Sequence, residues 1–152
     1  MDVRVKFLGG AQSVTGSKFL FEIDNYRLLV DCGLFQGLKE LRLRNWDDLP
    51  LPVESVDAIV LTHAHLDHSG YTPRIAKQGF AGKIHCTEAT ANLLEILWMD
   101  SAKLQEEEAE FIKRKGYSKH KTPLALYTQK DVVATLPHVN KHPFGKLVHL
   151  TD

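Results

Sequence analysis

The chain has 152 residues, enough for one ordinary domain, and its 43% hydrophobic content fills a core larger than that of a minimal scaffold. Collagen-like, disordered and disulfide-stapled classes are therefore excluded. Lysine plus arginine equals aspartate plus glutamate at 19 each, so no long-range basic field draws the molecule onto nucleic acid or anionic lipid, and any polyanion site must be local.

Asp2 to Leu8 alternates polar with apolar residues as a half-buried strand does, and Gly9-Gly10 stops it. Lys18 to Ile23 and Tyr26 to Val30 form a predicted hairpin across Asp24-Asn25, a pair tolerant of tight-turn dihedrals. It ends in Asp31-Cys32-Gly33, with an acid where the strand stops. Leu38 to Pro52 reads as a short helix and a connecting loop. Asp57 to Thr62 is nearly continuously hydrophobic, the pattern of a strand buried on both faces, and a polar loop follows. Thr72 to Gln78 is a predicted short helix ended by Gly79, and Lys83 to Cys86 another strand. Thr87 caps a long helix to about Lys115, with Leu93, Leu94, Leu97, Trp98, Leu104, Phe111 and Ile112 as its apolar stripe and Gly116 as its stop. Thr128 caps a last helix to about Leu136, and Lys146 to Leu150 resembles a strand. Strands alternating with helices give an α/β layered domain.

Cys32 and Cys86 sit in a chain with no signal-peptide pattern and no apolar run approaching the ~20 residues that span a bilayer. A soluble, reducing, cytoplasmic setting without membrane attachment is expected. Cys32 reads as a small buried hydrophobe.

Histidine is the unusual entry in the composition, with eight copies, three of them between His63 and His68. Thr62-His63-Ala64-His65-Leu66-Asp67-His68 sets three imidazoles and a carboxylate directly after a buried strand. Residues two apart project to one side of an extended segment, so His63 and His65 can approach one ion together, while Asp67 and His68, beyond a bend, can face a second. Zinc accepts imidazole nitrogen at ~2.0–2.1 Å and carboxylate oxygen at similar range, and tolerates the open position that catalysis needs. A surface loop whose histidines merely cap the next helix is the alternative, but such a pattern arises by chance in roughly one such chain in a thousand. No H-E-x-x-H pair occurs, which excludes a helical metalloprotease site.

This loop resembles the signature of the metallo-β-lactamase superfamily. Gly10-Ala11, Val14-Thr15-Gly16-Ser17, Asp31-Cys32-Gly33-Leu34-Phe35-Gln36-Gly37, Thr87-Glu88-Ala89-Thr90 and Asp100-Ser101-Ala102-Lys103 resemble its β-CASP RNA-processing branch, the cleavage-and-polyadenylation-factor-like nucleases in particular. The resemblance implies an αββα sandwich holding one or two metal ions at the edge between its sheets. It assigns His63 and His65 to the first metal and Asp67 and His68 to the second. Asp67 also orients the water-derived nucleophile, and Asp31 is an acid that holds a ligand imidazole or the loop backbone in place. The branch completes its site with a Gly-His pair, a bridging aspartate and a final histidine after an inserted domain, and none of these is found in this chain. His85, His120, His138, His142 and His149 match no ligand position and read as surface or core histidines.

Residues 1–152 are accordingly expected to be a partial metallo-β-lactamase domain, without the β-CASP domain and the C-terminal ligand motifs. The function expected is that of a zinc-dependent hydrolase of RNA phosphodiesters, present as an N-terminal fragment inactive alone. The complete site takes two zinc ions; this chain, with fewer ligands per ion than two stable sites require, can hold zinc weakly, at partial occupancy or none as isolated. The alternatives are a small-molecule metallohydrolase of the thioesterase or glyoxalase kind, and a non-catalytic partner-binding module. RNA is the expected partner of the complete enzyme, and Lys113, Arg114, Lys115, Lys119 and Lys121 either meet its phosphates or form the solvated end of a helix. The residues that bind substrate are not assigned. A partial sandwich exposes apolar surface, so self-association or domain exchange is expected.

Overall fold

The computed structural model describes residues 1–116 and 124–151. Lys119, His120 and Lys121 lie outside the described residues. Six strands form one sheet in chain order: β1 (Val3–Gly9), β2 (Lys18–Ile23), β3 (Tyr26–Val30), β4 (Ala58–Val60), β5 (Lys83–Thr87) and β6 (Val139–His142). The first three run antiparallel, and β3 through β6 pair in parallel. Parallel neighbours need crossovers. These carry α1 (Lys39–Leu43), then α2 (Leu66–Ser69) and α3 (Thr72–Lys77), then α4 (Glu88–Lys115) and α5 (Gln129–Thr135). The expected α/β class is the class observed.

The sheet register explains the core. Leu20, Leu29, Ile59, Ile84 and Val139 stand in one cross-strand row. They pack with Ile75, Leu94, Trp98, Tyr127 and Val132 from the helices and the segment before α5. The next row, on the opposite face, is Phe7, Phe19, Val30, Val60, His85 and Asn140, and of these only His85 is buried. The described residues thus form one helical layer on one face of one sheet.

Several elements depart from expectation. β1 is exposed on both faces rather than half-buried: Val3, Val5 and Phe7 are 50%, 41% and 65% exposed, because β1 is an edge strand and its apolar side chains lie on the uncovered face. β4 is shorter than Asp57 to Thr62, and the histidine loop contains the helical turn α2. α4 has the expected caps, since the Thr87 hydroxyl accepts from the Thr90 N–H and Gly116 takes the left-handed conformation. Its buried stripe, however, is Thr90, Leu94, Trp98, Ser101 and Ala102, and Leu93, Leu104 and Phe111 face solvent. Lys146 to Leu150 is not a strand. Pro143 has no N–H to extend the ladder past His142, the chain turns at Gly145, and the Tyr26 hydroxyl donates to the Leu150 carbonyl at 3.2 Å. The last strand is instead Val139–His142, whose single apolar residue leaves no alternating pattern to read. Among the described residues no helix is long and apolar enough to cross a membrane.

Candidate metal centre

The histidine motif leaves the C-terminal end of β4 and is fixed by backbone before any side chain acts. The carbonyls of Leu66, Asp67 and His68 accept from the Leu34, Ser17 and Cys32 N–H groups at 2.9, 3.0 and 2.8 Å. Three consecutive peptide units are thereby clamped to the ends of β2 and β3. Gly33 allows the approach: a Cβ there would sit 1.7 Å from the Asp67 carbonyl oxygen. From the helical layer, the Trp98 indole N–H donates to the Ser69 hydroxyl at 3.3 Å, which donates to the Ala64 carbonyl at 2.8 Å. The longest helix thus braces the loop from beneath.

Asp31 is the buried acid at the centre. It holds a left-handed backbone conformation with φ of 59°, uncommon outside glycine, where the chain bends off β3. Its N–H continues the ladder to the Val60 carbonyl at 2.8 Å. Its carboxylate accepts from the Thr62 N–H at 2.8 Å, from the Thr62 hydroxyl at 3.0 and 2.9 Å, and from His68 Nδ1 at 2.8 Å, with the Ser17 hydroxyl at 3.5 Å. One acid therefore ties together the ends of three strands and one of the clustered imidazoles.

The three imidazoles meet. The His63 ring lies 4.1 Å from the His68 ring and 4.8 Å from the His65 ring, centroid to centroid. His68 Nε2 is 3.4 Å from Asp67 Oδ2, and His63 Nδ1 is 2.9 Å from the Thr62 hydroxyl. The structure thus brings His63, His65, Asp67, His68 and Asp31 to one place. Among the described residues no three His, Cys, Asp or Glu side chains stand ready as a shell around one point. The donor chemistry nevertheless fits a divalent ion of zinc type: nitrogen and carboxylate oxygen donors predominate, and two bonds of ~2.0–2.1 Å meeting at a tetrahedral angle span roughly 3.4 Å. That is the separation of His68 Nε2 and Asp67 Oδ2.

Two groups below the site have displaced pKa values. Burial pushes the Cys32 thiol up to about 12, which keeps it protonated and agrees with its reading as a small hydrophobe. Burial lowers the Lys18 amine to about 8, and the Arg44 guanidinium adds to that. Lys18 Nζ lies 4.4 and 4.7 Å from the Phe35 and Tyr71 ring centres and donates to the Gly16 carbonyl at 3.4 Å. Sequence reasoning gave no role to Ser17, Lys18, Thr62 or Ser69. Thr62 and Ser69 flank the motif, which was a usable signal, whereas the roles of Ser17 and Lys18 depend on long-range approach.

His85, His138 and His142 make their hydrogen bonds elsewhere. His85 and His142 pair with each other, Nδ1 to Nε2 at 2.9 Å, and His138 Nδ1 meets the Gly82 carbonyl at 3.1 Å.

Comparison with known proteins gives this arrangement a family. The Metallo-beta-lactamase superfamily profile matches residues 15–150. Ribonuclease TTHA0252 of Thermus thermophilus is 41% identical over 148 residues, 97% of this chain and 30% of that protein. Transcription termination factor FttA of Methanocaldococcus jannaschii is 29% identical over 143 residues, 94% of this chain and 20% of that protein. An RNase J-like protein from the same archaeon is 37% identical over 102 residues, 67% and 22% of the two chains. The chain spans less than a third of the length of each of these relatives. From the match over residues 15–150, and in keeping with the mixed sheet and the clustered histidine motif, this chain belongs to the metallo-beta-lactamase superfamily.

Proposed function

We propose that this chain is the N-terminal part of a zinc-dependent hydrolase of RNA phosphodiesters, of the β-CASP type. The observation that carries the reading is the gathering of His63, His65, Asp67 and His68 on a loop clamped by backbone and anchored on Asp31. The relatives named as a ribonuclease, a transcription termination factor and an RNase J-like protein support the choice of RNA. Residues 1–152 are, in this reading, a partial metallo-β-lactamase domain that works with chain found beyond the matched segment of such relatives. A reducing cytoplasmic setting is part of the same proposal, and RNA is its partner.

His63 and His65 would hold one ion, and Asp67 and His68 a second. Divalent ions bound there supply Lewis acidity, lowering the pKa of a water and offsetting charge on the phosphate oxygens. Asp67 would contribute a carboxylate that orients the attacking water, and the bond from the Ser17 N–H to the Asp67 carbonyl fixes the backbone from which that carboxylate projects. Asp31 fixes the His68 ring. Self-association completes the proposal, through Val3, Val5 and Phe7 exposed along an edge strand; sedimentation at rising concentration should show oligomers, and a monomer throughout would contradict it.

The test is zinc content together with cleavage of a labelled RNA, on this chain and on a longer chain continuing past it. Zinc in both and cleavage by the longer chain, abolished in Asp67→Asn, is the expected result. Thioester hydrolysis without RNA cleavage would move the assignment to a small-molecule hydrolase. Absence of zinc from both would contradict it.

A further inference from the structure

We infer that Thr62 is a positioning residue: it extends the reach of Asp31 to His63 and holds that imidazole with its proton on Nδ1, leaving Nε2 as a free electron pair for a cation. The inference rests on the metal reading above and specifies how one ligand is prepared for it.

The number of hydrogens available fixes the direction of each bond. A carboxylate only accepts, and the Thr62 hydroxyl lies 3.0 and 2.9 Å from the two Asp31 oxygens. A hydroxyl has one hydrogen, so it is given to Asp31. What remains on Thr62 Oγ1 are lone pairs, and these face His63 Nδ1 at 2.9 Å. Nδ1 must then be the donor. Since the bond made by one ring nitrogen sets the state of the other, Nε2 of His63 is left unprotonated. His68 reaches the same state by a direct route, Nδ1 to Asp31 Oδ2 at 2.8 Å, with Nε2 facing Asp67.

One buried carboxylate therefore governs two imidazoles, one by contact and one through a hydroxyl. His65 joins the cluster only through its ring, edge-on to His63. Thr62 itself is exposed, so its hydroxyl can be replaced by a methyl group without opening the core. This separates it from Asp31, whose burial makes it structural as well.

The experiment uses the whole chain, metal-free, with isotope-labelled histidine nitrogens read by NMR above the imidazole titration range, followed by zinc titration against a competing chelator. Native protein should show Nδ1–H tautomers for both His63 and His68. In Thr62→Val the His63 signature should leave Nδ1–H while His68 keeps it, and zinc affinity should fall about 10–100-fold. Thr62→Ser, which retains the hydroxyl, should restore both. An unchanged His63 signature in Thr62→Val, or failure of Thr62→Ser to restore it, would overturn the inference. A native chain that shows the tautomer pattern, loses it in Thr62→Val and yet takes up no zinc would sink the metal reading and leave the positioning role standing.

Discussion

Two groups of histidines occupy the same sheet and differ in one respect. His63, His65 and His68 gather where β3 and β4 end, beside the buried Asp31 carboxylate, which accepts a hydrogen bond from His68 Nδ1–H and, through Thr62, orders His63. His85 and His142, on β5 and β6, have no carboxylate among their hydrogen-bond partners within the described residues; they face one another at 2.9 Å with rings 18° from parallel. This second pair uses one nitrogen of each ring on the other. Burial lowers the His85 pKa, with the His142 ring and the Lys83 ammonium adding to the effect, so His85 resists taking up a proton. A count of histidines cannot separate these cases, and a buried acid can.

The largest effect should come from breaking the backbone clamp. Gly33→Ala would drive a Cβ into the Asp67 carbonyl, costing about 2 kcal/mol or more in chemical unfolding, with zinc binding lost and the β5–β6 pair retained. Next, Asp31→Asn keeps the shape and removes the charge, turning an amide NH2 toward one of the donors now bonded to Asp31. Zinc affinity should drop about 10–100-fold, whereas His142→Phe, at the other group, should leave zinc affinity unchanged. Equal losses in the two variants would erase the distinction between the groups.

The smallest effect is a pH dependence. Because the folded pKa of His85 lies below its ordinary 6.5, the unfolded chain binds the proton first as pH falls. Its contribution to stability is fully present above 6.5 and is lost as pH drops through the depressed folded value. Urea midpoints followed from neutral to acid pH should fall in the native chain and fall less in a His85→Asn variant. Parallel curves would remove His85 from the account.

What could be read in the sequence follows from what is local. Asp24-Asn25 marks its hairpin, and Thr87 and Gly116 bracket α4, because turn and cap chemistry acts over three or four residues. The histidine motif is legible for the same reason. Its supports are not: the Ser17 bond to Asp67 and the Trp98 bond to Ser69 join residues far apart in sequence, and a one-dimensional pattern carries no trace of them. Burial fails similarly. Leu93 and Leu104 look like core residues, yet the face of α4 that turns inward is decided by Leu94, Trp98 and Ala102 fitting the sheet. β6 went unread because Asn140, Lys141 and His142 are polar, and only its place beside β5 makes it a strand.

The central claim is that the loop after β4 gathers donors for a divalent cation. Zinc titration of the intact chain by chelator competition, repeated on His63→Ala and on His142→Ala, tests it most directly. The account expects saturable binding in the native chain, kept in His142→Ala and lost in His63→Ala. No binding by the native chain, or binding indifferent to the loss of His63, would contradict it.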